Sequence, residues 1–146
     1  MEKFIRLDQK GTWRGRDHRS SFAHDPADEE NTPWESGVSC YSLKNVGLAV
    51  NKLFEYWHDV ACMRDVADYE GWQVTIFEGE KVGTGSDWED TAVCENTLVE
   101  ADALPFMKAV FYAREHYEDE EITEDEYFAE LERIANELLE CAVNER

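Results

Sequence analysis

Residues 71–84 read GWQVTIFEGEKVGT, and this stretch decides the fold class. The large apolar side chains of Trp72, Val74 and Ile76 stand at every second position. Successive side chains of a β-strand point to opposite faces, so a period of two is typical of a strand with one face in a core. The stretch therefore predicts that β-structure, and not helices alone, builds the core of this chain.

The residues that follow this alternation predict a hairpin and one more strand. Residues 78–81, EGEK, are of turn-forming type, and residues 82–84 then fit a returning strand. Gly83 permits a bulge in that strand. After an acidic loop, residues 91–98 fit a further strand.

Two more strands and a long loop are indicated on the N-terminal side. Residues 3–7 alternate and end at Asp8, and residues 37–43 alternate as well. Between them, residues 11–31 carry glycine, serine, proline and asparagine at intervals, which is typical of a loop. A loop of this length inside a compact domain is often functional.

Three segments have the spacing of amphipathic helices. Apolar residues recur at steps of three and four over residues 45–64 and again over residues 103–116, where Pro105 lies in a first turn that tolerates proline. The last helix is predicted to begin at Thr123, because Thr123 and Glu126 have the spacing of a capping box and an apolar stripe follows them.

Together these segments predict one α+β domain over residues 1–146, with a mainly antiparallel sheet of about four to five strands and about three helices. Residues 1–32 form a basic, loop-rich segment, and residues 33–146 form an acidic body. The first 24 residues hold six Lys and Arg against three Asp and Glu, an excess of three positive charges. The formal net charge of the whole chain is −20, so the remaining 122 residues carry about −23.

The acidity limits the classes of partner. With 34 Asp and Glu against 14 Lys and Arg, the protein repels nucleic acid and anionic membranes and attracts cationic surfaces. No direct binding to DNA or to a membrane is therefore expected. No apolar run is long enough to span a bilayer, and the N-terminus lacks the apolar core of a signal peptide, so we expect a cytoplasmic protein.

The four cysteines indicate neither a zinc site nor a disulfide framework. They are spread along the chain with no C-x-x-C pair, whereas zinc sites usually bring their ligands in close pairs. Cys62 and Cys141 fall on apolar faces of predicted helices, so we expect both to be buried as small hydrophobic side chains. We predict no metal and no cofactor.

Acidic residues are clustered in two stretches. Residues 115–132 hold ten Asp and Glu and no Lys or Arg. The macrodipole explains acids in the first turn of the last helix, but not all ten. The second stretch comprises Asp87, Glu89, Asp90, Glu95, Glu100 and Asp102. On a shared face, such carboxylates would be spaced like phosphates and would compete for a Lys- and Arg-lined channel. A solvated face with no partner is the alternative.

A basic loop and its histidines offer further interpretations. Residues 12–19, TWRGRDHR, combine arginine, glycine and tryptophan, which suits contact with RNA or with an acidic protein surface. The loop can also fold back on the acidic body, which is the interpretation we favour. His18 and His24 lie near aspartates, so a small enzyme acting on a nucleotide or nucleic acid through residues 14–24 is an alternative. We assign no catalytic residue and expect no enzyme.

In its small size, its charge and its two acidic stretches, the chain resembles the acidic proteins of phages and mobile elements that inhibit host nucleases, the anti-CRISPR and anti-restriction proteins. The resemblance is one of kind and rests on no shared motif. It implies a stoichiometric inhibitor that binds the basic channel of a CRISPR nuclease such as Cas9. The basic loop departs from pure DNA mimicry and suggests an additional contact with guide RNA.

We predict that the two acidic stretches and the basic loop bind the partner. An accessory or immunity-type protein that binds another basic partner is the remaining alternative. The predicted contact residues are Asp87, Glu89, Asp90, Glu95, Glu118, Asp119, Glu120, Glu121, Glu124, Asp125, Glu126, Trp13, Arg14, Arg16 and Arg19.

Overall fold

A computed structural model describes residues 1–13, 37–84 and 89–144, with side chains as far as Cys141. The predicted α+β class is confirmed. Two short helical segments follow the helix Val46–Glu55, a π-helical turn at Tyr56–Val60 and a 3₁₀ turn at Val66–Tyr69. The main elements in chain order are β1 (Glu2–Gln9), β2 (Val38–Ser42), α1 (Val46–Glu55), β3 (Trp72–Thr84), β4 (Asp90–Asp102), α2 (Ala103–Glu118) and α3 (Glu124–Asn144).

The four strands form a closed antiparallel sheet in the order β1-β2-β4-β3. The strand β1 pairs with β3 over eight residue pairs, from Glu2 opposite Gly79 to Gln9 opposite Trp72, and it pairs with β2 on its other side. The strand β4 pairs with both β2 and β3. Each strand is therefore hydrogen-bonded to two neighbours, which protects backbone groups that an open edge would expose.

The prediction of a hairpin turn at residues 78–81 was wrong. The strand β3 continues through these residues as far as Thr84, and its register with β4 shifts at several points, one of them between Glu78 and Gly79. A Cβ atom at Gly79 would overlap the backbone carbonyl of Val93 on β4. The glycine is thus required by a close approach of two strands at an irregularity, and not by a turn.

We expect Gly79→Ala to lower the free energy of unfolding by about 1–3 kcal/mol, because the two strands must move apart to admit the methyl group. Urea denaturation measures the loss. Gly83→Ala is the matched control, since a Cβ atom there meets only the Thr91 Cβ at 3.9 Å. Equal stability of the two variants would contradict the close-approach explanation.

The alternation along the strands separates two buried clusters. One face of the sheet, with Ile5, Val74 and Ile76, packs against the helices in the larger cluster. The opposite face contributes Phe4 and Phe77 to a smaller cluster that also contains Cys40 and Cys94. Trp13 closes this smaller cluster, with its ring 5.3 Å from that of Phe77 and its indole N–H donating to the Thr97 hydroxyl at 3.1 Å.

A buried polar network joins β1 to β3 on the same face as the smaller cluster. Asp8 is fully buried, and the Arg6 guanidinium contacts its carboxylate at 2.8 and 2.9 Å. The Thr75 hydroxyl donates to Asp8 at 3.0 Å, and the Gln73 amide donates to Thr75 at 3.2 Å. The Trp13 ring lies 5.4 Å from the guanidinium carbon. Burial raises the pKa of Asp8, while Arg6 and Thr75 oppose that rise.

Helix α1 ends earlier than the sequence pattern predicts. Regular α-helix stops at Glu55, and Cys62 stands beyond the π-helical turn with a φ of 60°. Cys62 is exposed because the chain has left the helix by then, so the prediction that it is buried was wrong. Cys141 is exposed as well, near the C-terminal end of α3, and the same prediction fails there.

Candidate partner-binding surface

Residues Glu118–Glu126 join α2 to α3 and are called the acidic turn below. Helix α2 ends in two hydrogen bonds of a Schellman motif: the Glu120 N–H donates to the Tyr117 carbonyl at 3.1 Å, and the Glu121 N–H donates to the His116 carbonyl at 2.9 Å. Glu120 occupies the position of this motif that usually holds glycine, and its φ is 60°. These two backbone hydrogen bonds stabilise the end of α2 and the first residues of the turn.

A capping box fixes the other end of the acidic turn, as the sequence predicts. The Glu126 N–H donates to the Thr123 hydroxyl at 3.2 Å, and the Thr123 N–H donates to the Glu126 carboxylate at 3.0 Å. Glu124 and Asp125 lie in the first helical turn, where the macrodipole favours negative charge. The acids at this end thus stabilise helix α3 and also add to the negative charge of the surface.

The carboxylates of the acidic turn fall into a paired and an unpaired set. Glu118 pairs with Arg114 at 2.8 Å, and Glu121 pairs with His116. Four other acids are exposed and have no ion pair with any residue that the structure describes: Asp119, Glu120, Glu124 and Asp125. These four carboxylates are free to accept hydrogen bonds from a cationic partner.

Arg114 connects the acidic turn to helix α1, a link that the sequence analysis missed. Its guanidinium lies 3.7 Å from Glu55 as well as 2.8 Å from Glu118, and it donates to the Asn51 side chain at 3.2 Å. The Tyr127 hydroxyl donates to the same Asn51 oxygen at 2.7 Å. Arg114, Asn51 and Tyr127 thus link the three helices, and the Arg114 guanidinium lies between Glu55 of α1 and Glu118 of the turn.

The acidic stretch predicted at residues 115–132 loses charge toward its C-terminal end. Arg133 contacts Glu130 and also Glu137, the latter at 2.6 Å. The hydrogen bonds from Arg133 lower the pKa of Glu130. Arg133 thus reduces the negative charge of helix α3 beyond the turn but does not remove it, since Glu132 and Glu140 have no ion pair with a described residue.

The carboxylates of the second acidic stretch do not form one compact patch with those of the acidic turn. Asp90 pairs with Lys81 at 3.0 Å and accepts from the Ser42 N–H at 3.1 Å, and Asp102 pairs with Lys10. Glu89 and Glu95 are only partly exposed. Asp102 and Asp119 flank α2, whose 16 residues separate them by about 24 Å.

Of the basic loop, the structure describes only Thr12 and Trp13. Trp13 is 6% exposed and serves the smaller core cluster, so we leave it out of the proposed contact surface. Several residues singled out from the sequence lie outside the described residues: Arg14, Arg16, Arg19, Asp87, His18 and His24.

We expect Glu120→Gly to raise the free energy of unfolding by about 0.5–1 kcal/mol, because glycine adopts a positive φ without the steric cost that a side chain incurs. The change also removes one unpaired carboxylate. Urea denaturation provides the measurement. Asp119→Gly is the control and should lower stability, since Asp119 has a φ of −81°. A lower stability for Glu120→Gly would contradict the assignment.

The surface is suited to binding. Carboxylates on a fixed turn accept hydrogen bonds from ammonium and guanidinium groups, and several close together favour a partner with clustered Lys and Arg. Within residues 1–13, 37–84 and 89–144, no group of three or more His, Cys, Asp and Glu is placed to hold a metal ion. In the same ranges, none of the helices has the length and apolar character needed to cross a membrane.

The fold and the surface define an α+β protein with four exposed carboxylates, unpaired within the described residues, in the turn between its last two helices. Comparison with protein-family models, with curated proteins and with solved structures found no significant match.

Proposed function

We propose that the protein is a stoichiometric inhibitor that binds the basic nucleic-acid-binding channel of a CRISPR nuclease of the Cas9 type and blocks engagement of guide or target nucleic acid. The acidic turn carries the proposal, because four of its carboxylates are exposed and unpaired within the described part of the chain. Such a channel binds phosphates through Lys and Arg, which carboxylates satisfy as well.

The geometry of the turn favours binding over mere solubility. Its four unpaired carboxylates need not break an ion pair with a described residue before they meet a cation. The Schellman motif and the capping box hold the backbone in place, so little conformational entropy is lost on association. The net charge of −20 adds long-range attraction, which accelerates encounter with a basic channel and weakens as salt rises.

The conformation of Glu120 also supports the proposal. A side chain at positive φ costs stability that glycine would recover, and strained residues of this kind cluster at functional sites. In the proposed complex, pairing of the Glu120 carboxylate with a Lys or Arg of the partner would offset this cost. Its place next to the unpaired Asp119 puts the strained residue inside the surface that would contact the partner.

The test is DNA cleavage by purified Cas9 loaded with guide RNA, in which the protein is titrated from substoichiometric to excess amounts. We expect cleavage to fall to zero near one equivalent and to recover as NaCl rises. Displacement of labelled target DNA from the nuclease, followed by fluorescence anisotropy, should have the same salt dependence.

Three outcomes would count against the proposal. Unchanged cleavage at excess protein, across a panel of Cas9 nucleases, excludes the target class. Loss of cleavage at far less than one equivalent indicates turnover and favours the enzyme alternative, in which His18→Ala should abolish the effect. Inhibition that is insensitive to salt excludes a contact made by the acidic turn.

A further inference from the structure

One cleft of this acidic protein is lined by several lysines. It has a volume of about 240 Å³ and lies where β2 meets the start of α1. Three lysines line it, Lys44, Lys52 and Lys81, and the structure describes ten Lys and Arg in all. With Glu2 and Asp90 also in the lining, the cleft has a formal charge of +1 (three lysines less two carboxylates) in a protein whose net charge is −20.

The two carboxylates in the cleft do not cancel these lysines. Glu2 accepts a hydrogen bond from the Ser42 hydroxyl and lies 3.9 Å from Lys44, at the limit of an ion pair. Asp90 accepts from the Ser42 N–H at 3.1 Å and pairs with Lys81. Lys52 has no ion pair with any described residue. The lining therefore retains a positive charge on Lys52 and, in large part, on Lys44.

The start of helix α1 adds to the positive potential. Asn45 and Leu48 line the cleft, and the Asn45 side chain caps the helix by accepting from the Leu48 N–H at 3.1 Å. The first turn of α1 contains no acidic residue, in contrast to α3, which has three. The positive end of the helix dipole is thus uncompensated by its own sequence.

A buried hydroxyl in the lining lacks a partner. Tyr41 is 4% exposed and lines the cleft from β2, and its hydroxyl is the one buried side-chain polar atom without a hydrogen bond in the described parts of the chain. An unsatisfied buried hydroxyl costs about 1–3 kcal/mol, so a group that accepts its hydrogen bond is stabilising. Burial raises the pKa of Tyr41, which keeps the hydroxyl protonated and able to donate.

We propose that this cleft binds a small phosphate-bearing anion, inorganic phosphate or a nucleoside monophosphate. The phosphate oxygens accept from the Lys44 and Lys52 ammonium groups and, after a small shift of the lining side chains, from the Tyr41 hydroxyl. The net charge of −20 selects against a larger polyanion, because each added phosphate is repelled by the rest of the surface. The site is independent of the acidic turn and of the proposed inhibition.

The test is titration of ¹⁵N-labelled protein with inorganic phosphate and with AMP, with NaCl used to hold the ionic strength constant. We expect saturable shifts confined to the amides of residues 41–52 and 81. Lys44→Ala and Lys52→Ala should each weaken phosphate affinity about 3- to 10-fold. Lys108→Ala removes an exposed lysine from α2 and should have no effect.

Tyr41→Phe gives a second test, because it should affect the stability of the free protein and the affinity for phosphate differently. The variant should be at least as stable as the wild type, since the hydroxyl has no partner in the free protein, yet it should bind phosphate several-fold more weakly. Linear shifts spread over all lysines, or equal affinity in the Lys52→Ala and Lys108→Ala variants, would overturn the proposal. So would tighter binding of a short single-stranded RNA than of AMP.

Discussion

Neutralising three carboxylates of the acidic turn, by Asp119→Asn, Glu124→Gln and Asp125→Asn, is expected to weaken binding to guide-loaded Cas9 by about 10- to 100-fold at low salt. An exposed charge pair contributes about 0.5–1 kcal/mol, so three lost pairs amount to about 1.5–3 kcal/mol. The substitutions keep the shape of each side chain and leave the capping box of Thr123 and Glu126 intact. Calorimetry measures the affinity, and cleavage inhibition provides the functional readout.

A control variant with the same net charge shows whether binding depends on the carboxylates of the acidic turn or on the electrostatic field of the whole protein. Glu70→Gln, Glu80→Gln and Glu140→Gln remove three exposed carboxylates elsewhere, so both triple variants change the formal net charge from −20 to −17. We expect the control to retain affinity within about threefold, because long-range attraction affects mainly the association rate. Equal loss in both variants would show that bulk charge drives binding, and an unchanged turn variant would refute the contact surface.

Periodicity and capping signals locate the elements of this fold well, because both are local. Alternation over residues 3–7 and 37–43 identifies β1 and β2, and the capping box of Thr123 and Glu126 identifies the start of α3. Closure of the sheet is not local. It depends on pairs such as Phe4 with Phe77, which are far apart in the chain and leave no signature in either segment.

Gly79 shows how a local signal can mislead. Glycine between charged residues is typical of a turn, yet here it admits the Val93 carbonyl of the neighbouring strand. The same sequence has two physical explanations, a backbone turn or a close approach, and only the position of the partner strand distinguishes them.

The candidate surface was only partly predictable for a related reason. The sequence identifies the acids of the turn because they are close together in the chain, but it does not show which of them are paired. Arg114 and Glu55 are separated by a long stretch of chain, and their contact depends on how α1 packs against α2 and α3. The phosphate cleft likewise combines Lys44, Lys52 and Lys81 from three places in the chain.

Replacing the buried carboxylate, by Asp8→Ala, is expected to lower the free energy of unfolding by about 3 kcal/mol, a large share of the 5–15 kcal/mol typical of a domain. The change leaves the Arg6 guanidinium, 12% exposed, without its carboxylate and the Thr75 hydroxyl without its acceptor. It also removes a link between β1 and β3, two strands on which sheet closure depends. Urea denaturation followed by circular dichroism measures the loss.

Two comparisons test whether the buried charge is the cause. The double variant Arg6→Met with Asp8→Leu removes both charges and should be markedly more stable than Asp8→Ala, because no unpaired ion stays buried. Similar stability of the two would contradict the explanation and point to packing alone.

The second comparison uses pH. Burial holds the pKa of Asp8 above its unfolded value, so in the range between those two pKa values the folded state binds more protons than the unfolded state. The part of the stability that is linked to protonation of Asp8 is therefore present at low pH and lost as pH rises through the folded pKa. Acidification from pH 7 toward 4 should favour the wild type over Asp8→Asn, which cannot titrate at this position. A difference between the two that shrinks on acidification would mean that the Arg6 guanidinium outweighs burial at this carboxyl.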